Sequence, residues 1–418
     1  MQEHTMTKAI LVTIAASTAE VAECKKSLEE LSRLLDTAGG ETFATVIQTK
    51  EKFDPKTCIG SGKCLEIKEL CQNNGISLVI FDFELTPSQI KNLEDVLGDV
   101  EVIDRSMLIL DIFALHAQSG EGKLQVELAQ LKYTAPRLVG KGKDLSRQEG
   151  RIGTRGPGES KLETDRRHLN ERIHSLENQL KELEQKRKVM RAARDRSGLP
   201  KIAIVGYTNA GKSTLLNALT QAGVLAENKL FATLDATTRR LTLDDGQTVL
   251  LTDTVGFIRK LPHHLIKAFR STLEEVTYSD ILMIVCDASD PEMKSQLDVT
   301  TSLIADLDAA DKPILYVYNK CDLLSEVLPQ NKDQNEVFLS AKNGLGIEEL
   351  TTTIARMLAE RKRTVTLSFP YDKQAKVSEL YGDAVVKNVS YEDECVLVIA
   401  ELDTAQQSRY AAYIKENV

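Results

Sequence analysis

The first hundred or so residues alternate between short apolar runs and longer segments with helical spacing. The apolar runs are AILVTIA, TFATVIQ, LVIFDF and VEVID, and they are rich in β-branched residues. Strands that alternate with helices are typical of a parallel sheet covered by helices. We therefore predict a small, open α/β subdomain at residues 1–105.

A long helical hairpin is predicted next, over residues 106–198. Strong helix formers dominate the stretch from Asp104 to Tyr133 and are followed by a Gly/Arg-rich segment. Apolar residues then return at spacings of four and three, with Arg187 at one seam position. They are Leu169, Ile173, Leu176, Leu180, Leu183 and Met190. A helix from Leu162 to Met190 would be roughly 43 Å long, so we predict two antiparallel helices with an exposed tip.

The strand–helix alternation resumes with longer strands over residues 199–362. The apolar runs are KIAIVG, RLTLDD, TVLLTD, ILMIVCDAS, PILYVYNK and EVFLS. This pattern predicts a doubly wound α/β domain. Residues 363–418 carry three further strand-like runs and two helical segments, which predict a small α+β domain. The predicted fold class is therefore α/β: a small parallel α/β subdomain and a long antiparallel helical hairpin precede the doubly wound domain with its phosphate-binding loop, and a small α+β domain follows it.

Composition indicates a folded protein with several cores. The 418 residues are 42% hydrophobic and 28% charged, a balance typical of globular proteins. No stretch approaches the roughly 20 apolar residues of a membrane span, so we expect a cytoplasmic protein without a membrane segment. The seven cysteines are scattered and favour reduced thiols. Cys58, Cys64 and Cys71 are close enough in sequence to leave a metal or redox site as the less favoured alternative.

The charge distribution matters more than the net charge of −9, which argues against nonspecific nucleic-acid binding and against DNA as a partner. Residues 137–155 hold six basic side chains against two acidic ones. Arginines neutralise phosphates and glycines allow close backbone approach, so we predict contact with structured RNA here. A solvated linker is the alternative. The predicted contacts are Arg137, Lys141, Lys143, Arg147, Arg151 and Arg155.

A phosphate-binding loop follows the strand KIAIV. The segment GYTNAGKS matches the pattern GxxxxGK[ST] and precedes a helical run. Its backbone N–H groups would hold the phosphates, Lys212 would reach the β and γ groups, and Ser213 would bind Mg²⁺. A glycine-rich turn is the alternative. The predicted nucleotide contacts are Gly206, Tyr207, Thr208, Asn209, Ala210, Gly211, Lys212 and Ser213.

Two further segments would sense the γ-phosphate. DTVG supplies Asp253, which can hold Mg²⁺ through a water, and Gly256, whose N–H can meet the γ-phosphate. The threonine-rich segment LFATLDATTRR supplies Thr233 as the second magnesium ligand. Thr237 and Thr238 are rivals that spacing does not exclude.

Guanine specificity is predicted from Asn319-Lys320-Cys321-Asp322, which closes the strand PILYVY. A carboxylate at Asp322 can accept hydrogen bonds from the ring N–H and the exocyclic amine of guanine, whereas adenine presents neither group at that edge. The backbone of Ser340-Ala341-Lys342 can meet the guanine O6. These elements predict GTP as the substrate.

The chain lacks the water-orienting residue that many GTPases use in catalysis. Many GTPases place a water-orienting glutamine after the DxxG motif, but here Phe257 and Ile258 follow. We expect slow intrinsic hydrolysis that a partner stimulates, with Lys212, Thr233 and Gly256 as the catalytic residues. Asn209 resembles an asparagine that holds K⁺ in some related GTPases, so K⁺ is a candidate cofactor.

The chain resembles the HflX GTPases of the Obg–HflX superfamily. DPKTCIGSGK, DRSMLILDIFA, LQVELAQL and IGTRGPGESKLETDRR carry the resemblance, with Cys58 where members often have tyrosine. It implies Ser213 and Thr233 as magnesium ligands. The nucleotide contacts that it implies beyond the loop are Phe231, Ala232, Thr233, Leu234, Asp235, Asp253, Thr254, Val255, Gly256, Asn319, Lys320, Cys321, Asp322, Ser340, Ala341 and Lys342. Gly60-Ser61-Gly62-Lys63 is a helix start in preference to a second phosphate site.

The resemblance also implies a monomeric factor that binds the large ribosomal subunit and its rRNA in the GTP state and splits stalled or idle ribosomes. Two alternatives stay open from the residues. One is a regulatory GTPase that binds a protein partner through the seam of the hairpin, and the other is a ribosome-protecting antibiotic-resistance variant.

Overall fold

The computed structural model describes residues 6–145, 157–196, 198–220, 230–231, 236–262, 265, 270–324, 333–402 and 404–415. Within these ranges the chain forms four units in the predicted order: a parallel α/β unit, a helical hairpin, a second α/β unit with a larger sheet, and a small α+β unit. The predicted fold class is therefore confirmed.

The first sheet is parallel throughout, in the order β2-β1-β3-β4. Its strands are β1 (Thr7–Ala15), β2 (Gly40–Thr49), β3 (Leu78–Phe81) and β4 (Glu101–Asp104). The connecting helices are α1 (Val21–Thr37), α2 (Ser61–Asn74) and α3 (Pro87–Leu97). Ala9 and Leu11 on β1 face one core, and Ile10 and Val12 face another. Both faces of the sheet are thus covered, as a continuous apolar strand requires.

The hairpin departs from the predicted pair of helices at its start. The first predicted helix is two helices, α4 (Arg105–His116) and α5 (Gly120–Leu145), separated at Ala117–Ser119. Ser119 accounts for the break, because its hydroxyl accepts a hydrogen bond of 2.8 Å from the Gly122 amide and so caps α5.

The two arms of the hairpin run antiparallel, as predicted. Glu121 near the start of α5 pairs with Arg187 of α6 (Pro157–Arg196), and Lys132 pairs with Glu177, each at 2.7 Å. Leu176 is fully buried in the seam. Both arms are longer than predicted, since α5 continues past Pro136 and α6 begins before Leu162. Packing against a partner helix stabilises helical segments that local sequence alone does not favour.

Among the described residues, the second sheet has six strands in the order β10-β9-β8-β5-β7-β6, and of these only the edge strand β6 is antiparallel. Its strands are β5 (Lys201–Gly206), β6 (Thr237–Thr242), β7 (Thr248–Asp253), β8 (Ile281–Asp287), β9 (Ile314–Asn319) and β10 (Glu336–Phe338). Its described helices are α7 (Lys212–Thr220), α8 (Arg270–Thr277), α9 (Met293–Asp306) and α10 (Ile347–Glu360). The candidate motifs therefore lie at the carboxyl ends of strands, where open α/β sheets bind ligands.

The C-terminal unit is a three-stranded antiparallel sheet in the order β11-β13-β12. Its elements are β11 (Arg363–Pro370), α11 (Ala375–Asp383), β12 (Val385–Tyr391), β13 (Cys395–Leu402) and α12 (Thr404–Arg409). Phe369, Leu380, Val398 and Tyr410 are buried in its core. In the part of the chain that the structure describes, no helix has both the length and the apolar character needed to cross a bilayer.

The two α/β units share one hydrophobic core. Leu28 and Leu31 of the first unit and Phe113 of α4 pack in the same cluster as residues of the second α/β unit. Those residues are Tyr207, Leu230, Phe231, Val255, Ile258 and Leu265. The shared core thus brings the first unit against the loops that were predicted to bind nucleotide.

Candidate nucleotide site

The loop between β5 and α7 requires glycine at two positions. Gly206 has φ +148°, and a Cβ there would lie 2.2 Å from the Val285 carbonyl oxygen. Gly211 has φ +92°, and a Cβ there would lie 2.3 Å from Asn319 Nδ2. No other residue type combines these torsion angles with this close backbone approach. The loop therefore has the geometry that the GxxxxGK[ST] pattern predicts.

Lys212, the first residue of α7, is buried inside this loop. Its Nζ donates to the carbonyl oxygens of Gly206 at 3.2 Å and Tyr207 at 2.8 Å. Burial lowers the pKa of Lys212 to about 8, and the nearby Asp253 carboxylate partly opposes the shift. A buried ammonium held mainly by neutral carbonyls favours an added anion, which is what a nucleotide phosphate supplies.

Ser213 and Asp253 bring two oxygen donors together. The Ser213 hydroxyl donates to Asp253 Oδ2 at 2.6 Å, and Asp253 is fully buried at the end of β7. A hydroxyl and a carboxylate oxygen are donors that Mg²⁺ prefers, so these side chains fit the predicted ion. Thr233, the other predicted ligand, lies outside the described residues together with Ala232, Leu234 and Asp235.

The rival threonines are part of the sheet. Thr238 Oγ1 lies 3.0 Å from Thr252 Oγ1, and Thr237 is opposite Asp253 in the antiparallel pairing of β6 and β7. Their positions are explained by strand pairing. Thr254, a predicted nucleotide contact, is also fully buried, and its hydroxyl donates to the Ile204 carbonyl at 2.7 Å.

The main chain of Gly256 lies directly beside the phosphate loop. A Cβ on Gly256 would be 2.7 Å from Thr208 Cγ2 and 3.0 Å from Lys212 Nζ. A side chain at this position would displace the loop or the ammonium. Gly256 thus lies close to the Lys212 ammonium, and its contact with a γ-phosphate stays a prediction.

Phe257 extends the pairing between the two loops. Its amide donates to the Gly206 carbonyl at 3.1 Å, and its carbonyl accepts from the Thr208 amide at 2.8 Å. The ring is buried in the core beside Leu273 and Val276. This side chain is therefore enclosed in the core, and a phenyl ring has no group that could orient water by hydrogen bonding.

Asn319 joins the base-recognition segment to the phosphate loop. Its Nδ2 donates to the Ala210 carbonyl at 2.9 Å, and its Oδ1 accepts from the Ala341 amide at 3.0 Å. Lys320, at φ +63°, pairs with Asp287 at 2.7 Å. Asp322 is exposed, so its carboxylate is accessible to a base. The predicted segments at 319–322 and 340–342 are thus brought together around the loop.

Two predicted nucleotide contacts instead direct their aromatic side chains toward the first α/β unit. The Phe231 ring packs edge-on against Phe113, with centroids 4.7 Å apart, and the Tyr207 hydroxyl donates to Glu30 at 2.8 Å. The Phe231 ring is held by apolar burial, and the contact of this residue with nucleotide stays a prediction.

Arg137 also departs from its predicted place at the tip. It lies in the second half of α5, where its guanidinium stacks 3.5 Å over the Tyr133 ring and bonds the Leu85 carbonyl and Asp104. These contacts tie it to the first α/β unit. Lys141 and Lys143 lie further along α5, whereas Arg147, Arg151 and Arg155 lie outside the described residues.

The alternative sites near the amino terminus gain no support. The Gly60 amide donates to Gln48 Oε1 at 2.9 Å, and Lys63 pairs with Glu66 at 2.6 Å, which agrees with a helix start. The cysteines are thiols, and burial raises the pKa of Cys58 to about 11. Among the described residues, no group of three or more His, Cys, Asp or Glu side chains is arranged to hold a metal ion.

The chain is similar in sequence to known GTP-binding proteins. Three family models match in order: GTP-binding GTPase N-terminal over residues 25–114, GTP-binding GTPase Middle Region over 116–194, and 50S ribosome-binding GTPase over 201–320. A solved GTP-binding protein from the hyperthermophilic archaeon Sulfolobus solfataricus, in complex with GDP, is 27% identical with a TM-score of 0.44. That match covers 84% of this chain and 98% of the solved chain.

Curated relatives extend over nearly the whole length. The chain is 48% identical to the GTPase HflX of Caldanaerobacter subterraneus subsp. tengcongensis, over 97% of this chain and 94% of that protein. It is 42% identical to the GTPase HflX of Escherichia coli (strain K12), over 89% of this chain and 88% of that protein. The chain therefore belongs to the HflX family of GTPases, and it binds and hydrolyses GTP.

Proposed function

We propose that this chain is a cytoplasmic factor that binds the large ribosomal subunit in its GTP state and splits stalled or idle ribosomes. The observation that carries the proposal is the combination, in one chain, of the described phosphate-loop and base-recognition segments with a long helical hairpin that is anchored to the first α/β unit. The description of the matching family model, 50S ribosome-binding GTPase, supports the ribosome as partner.

The proposed domain limits and rRNA contacts are those predicted from the sequence, except for Arg137. We propose units at 1–105, 106–198, 199–362 and 363–418, and rRNA contact through the basic residues near the tip. Those residues are Lys141, Lys143, Arg147, Arg151 and Arg155. Arg137 is left out because its guanidinium is bonded to Leu85 and Asp104 of the first α/β unit.

Mg²⁺ would be held by Ser213 and Thr233, with Asp253 acting through water. When bound, the ion neutralises phosphate charge during transfer. Lys212 holds the β- and γ-phosphates, and the Gly256 amide orients the γ-phosphate. Because Phe257 is buried, positioning of water falls to backbone groups, to Thr233 and to the ribosome. K⁺ at Asn209 is part of this proposal, and hydrolysis that is unaffected when Na⁺ replaces K⁺ would exclude it.

A protein partner bound through the seam of the hairpin has less support. The apolar stripe of α6 faces α5: Leu176 is fully buried, and Leu169, Ile173, Leu180 and Leu183 are half-buried. Ion pairs such as Lys132–Glu177 bridge the two helices alongside this stripe. The seam is therefore used within the chain.

Co-sedimentation with purified subunits tests the proposal. The full chain should pellet with the large subunit in the presence of a non-hydrolysable GTP analogue and Mg²⁺, and much less with GDP. Replacing Arg147, Arg151 and Arg155 with alanine should weaken binding and reduce its salt dependence, because fewer counterions are released. Arg166→Ala with Arg167→Ala is the matched control, since both are exposed on α6 outside the tip. Equal binding with GDP, or no binding with the analogue, would refute the proposal.

A further inference from the structure

We propose that Arg105 is a positioning residue for GTP hydrolysis, acting across the domain boundary on the segment that follows Gly256. Arg105 is the first residue of α4 in the N-terminal unit and is 2% exposed. It contacts the Arg259 carbonyl, three residues beyond Gly256. The assignment goes beyond the proposed ribosomal function and depends only on GTP hydrolysis.

A closed ring of hydrogen bonds joins the two units. Arg105 Nη2 lies 3.1 Å from Glu30 Oε1, and the same Glu30 oxygen accepts from the Tyr207 hydroxyl at 2.8 Å. The Tyr207 hydroxyl in turn accepts from the Arg259 amide at 2.8 Å. The Arg259 carbonyl accepts from Arg105 Nη2 at 3.1 Å, which closes the ring. Both main-chain polar groups of Arg259 are therefore held by it.

Tyr207 can donate to Glu30 only while its phenol is protonated. Burial and, secondarily, the Glu30 carboxylate raise the pKa of Tyr207 above its usual range. The phenol thus stays protonated, donates to Glu30 and keeps a lone pair for the Arg259 amide. The ring has one consistent assignment of donors and acceptors.

A second anchor holds the next residue. Lys260 has φ +52°, a left-handed conformation that is rare for a side chain of this size. Its Nζ lies 2.6 Å from Asp82 Oδ2, and Asp82 Oδ1 lies 2.7 Å from Arg105 Nη1. Arg105 thus fixes Arg259 directly and shares Asp82 with Lys260.

The ring connects to the phosphate loop through Tyr207. The Tyr207 carbonyl accepts from Lys212 Nζ, while its side chain belongs to the ring. Between Gly256 and Arg259, Phe257 is pinned to the loop by two main-chain hydrogen bonds, and Ile258 is fully buried. Phe257, Ile258 and Arg259 are thus all held in place. We therefore expect the orientation of the Gly256 backbone to depend on the ring.

Burying the charged groups of this network costs free energy. A costly arrangement that is nevertheless present favours a functional role over a purely structural one. Asp82 is fully buried and Arg105 nearly so, and burying charges removes hydration that their pairing only partly restores. Arg105 Nε is also buried without a hydrogen-bond partner in the described part of the chain. Apolar residues would join the two units at lower cost, whereas a charged ring fixes one geometry.

Steady-state hydrolysis and nucleotide affinity together test this role. Arg105→Lys and Arg105→Met should lower kcat about tenfold while the Kd for GDP changes less than about twofold, because the ring positions the backbone without contacting nucleotide. Tyr207→Phe removes one oxygen from the ring and should give the same split between kcat and Kd. The double variant should be no slower than the worse single variant, since either change opens the same ring.

Lys63→Met is the control. Lys63 pairs with Glu66 within α2, away from the ring, so kcat should stay unchanged. Should the Arg105 variants fail to fold, Tyr207→Phe and Glu30→Gln decide the question alone. A raised or unchanged kcat, additive effects in the double variant, or a parallel loss of GDP affinity would overturn the proposal.

Discussion

The Tyr207 hydroxyl donates a 2.8 Å hydrogen bond to the Glu30 carboxylate, a residue 177 positions earlier in the chain. Tyr207 is the second residue of the phosphate loop, and its carbonyl holds the Lys212 ammonium. One residue therefore contacts both the phosphate-binding lysine and the N-terminal unit. A movement of the loop on nucleotide binding would therefore change the contact between Tyr207 and Glu30 across the domain boundary.

The buried Lys212 ammonium should make the nucleotide-free protein less stable at neutral pH than above it. The pKa is about 8 in the folded chain and 10.5 when unfolded. Between these values the unfolded state binds more protons, so stability rises with pH and the cost is fully present below pH 8. Lys212→Met should be about 1–3 kcal/mol more stable below pH 8 and should lose this slope, although it no longer binds GTP.

Urea unfolding of the nucleotide-free chain between pH 7 and 10.5 measures this effect. Lys8→Met, at an exposed position on β1, is the control and should keep the slope of the unsubstituted protein. An unchanged slope in Lys212→Met would show that another group titrates.

Gly211→Ala should weaken GDP binding at least about tenfold. The added Cβ would lie 2.3 Å from Asn319 Nδ2 at a φ of +92°, so either the loop or the base-recognition segment must move. Gly62→Ala in α2 is the control, because a Cβ there meets nothing within 4 Å. Isothermal titration with GDP compares the two, and equal affinities would contradict the described loop geometry.

Tyr133→Phe should loosen the contact between α5 and the first α/β unit. The Tyr133 hydroxyl donates to Asp104, which is fully buried and also caps α4 through the Met107 amide. Removing one donor from a buried carboxylate costs about 1–3 kcal/mol, so amide exchange around the middle of α5 should accelerate. Tyr381→Phe, at an exposed tyrosine, should leave exchange unchanged. Unaltered protection of α5 in Tyr133→Phe would show that Asp104 does not anchor the hairpin.

Sequence patterns predicted the elements that depend on local spacing. The strand before Gly206 and the glycines of the loop follow from short motifs, because each motif contains the residues that fix its geometry. The boundary between the units was not predictable in this way. Glu30, Asp82, Arg105 and Tyr207 are far apart in sequence, and only the packed structure brings them together. The extension of α5 past Pro136 likewise depends on packing against α6.

One substitution should change the base specificity from guanine to xanthine. Asp322→Asn should lower GTP affinity at least about a hundredfold, because an amide repeats the donors of guanine instead of accepting from them. The same variant should gain affinity for xanthosine triphosphate, whose 2-oxo group accepts from the new amide. Titration with both nucleotides measures the exchange, and retention of GTP binding would show that Asp322 does not contact the base.

Light scattering of intact ribosomes tests the central claim most directly. The unsubstituted chain with GTP or its non-hydrolysable analogue should lower the scattering signal as ribosomes separate into subunits, and GDP should have little effect. Asp322→Asn should split ribosomes with xanthosine triphosphate and fail with GTP. Splitting that is equal with GDP and GTP, or large-subunit binding in the GTP state without any loss of intact ribosomes, would contradict the account.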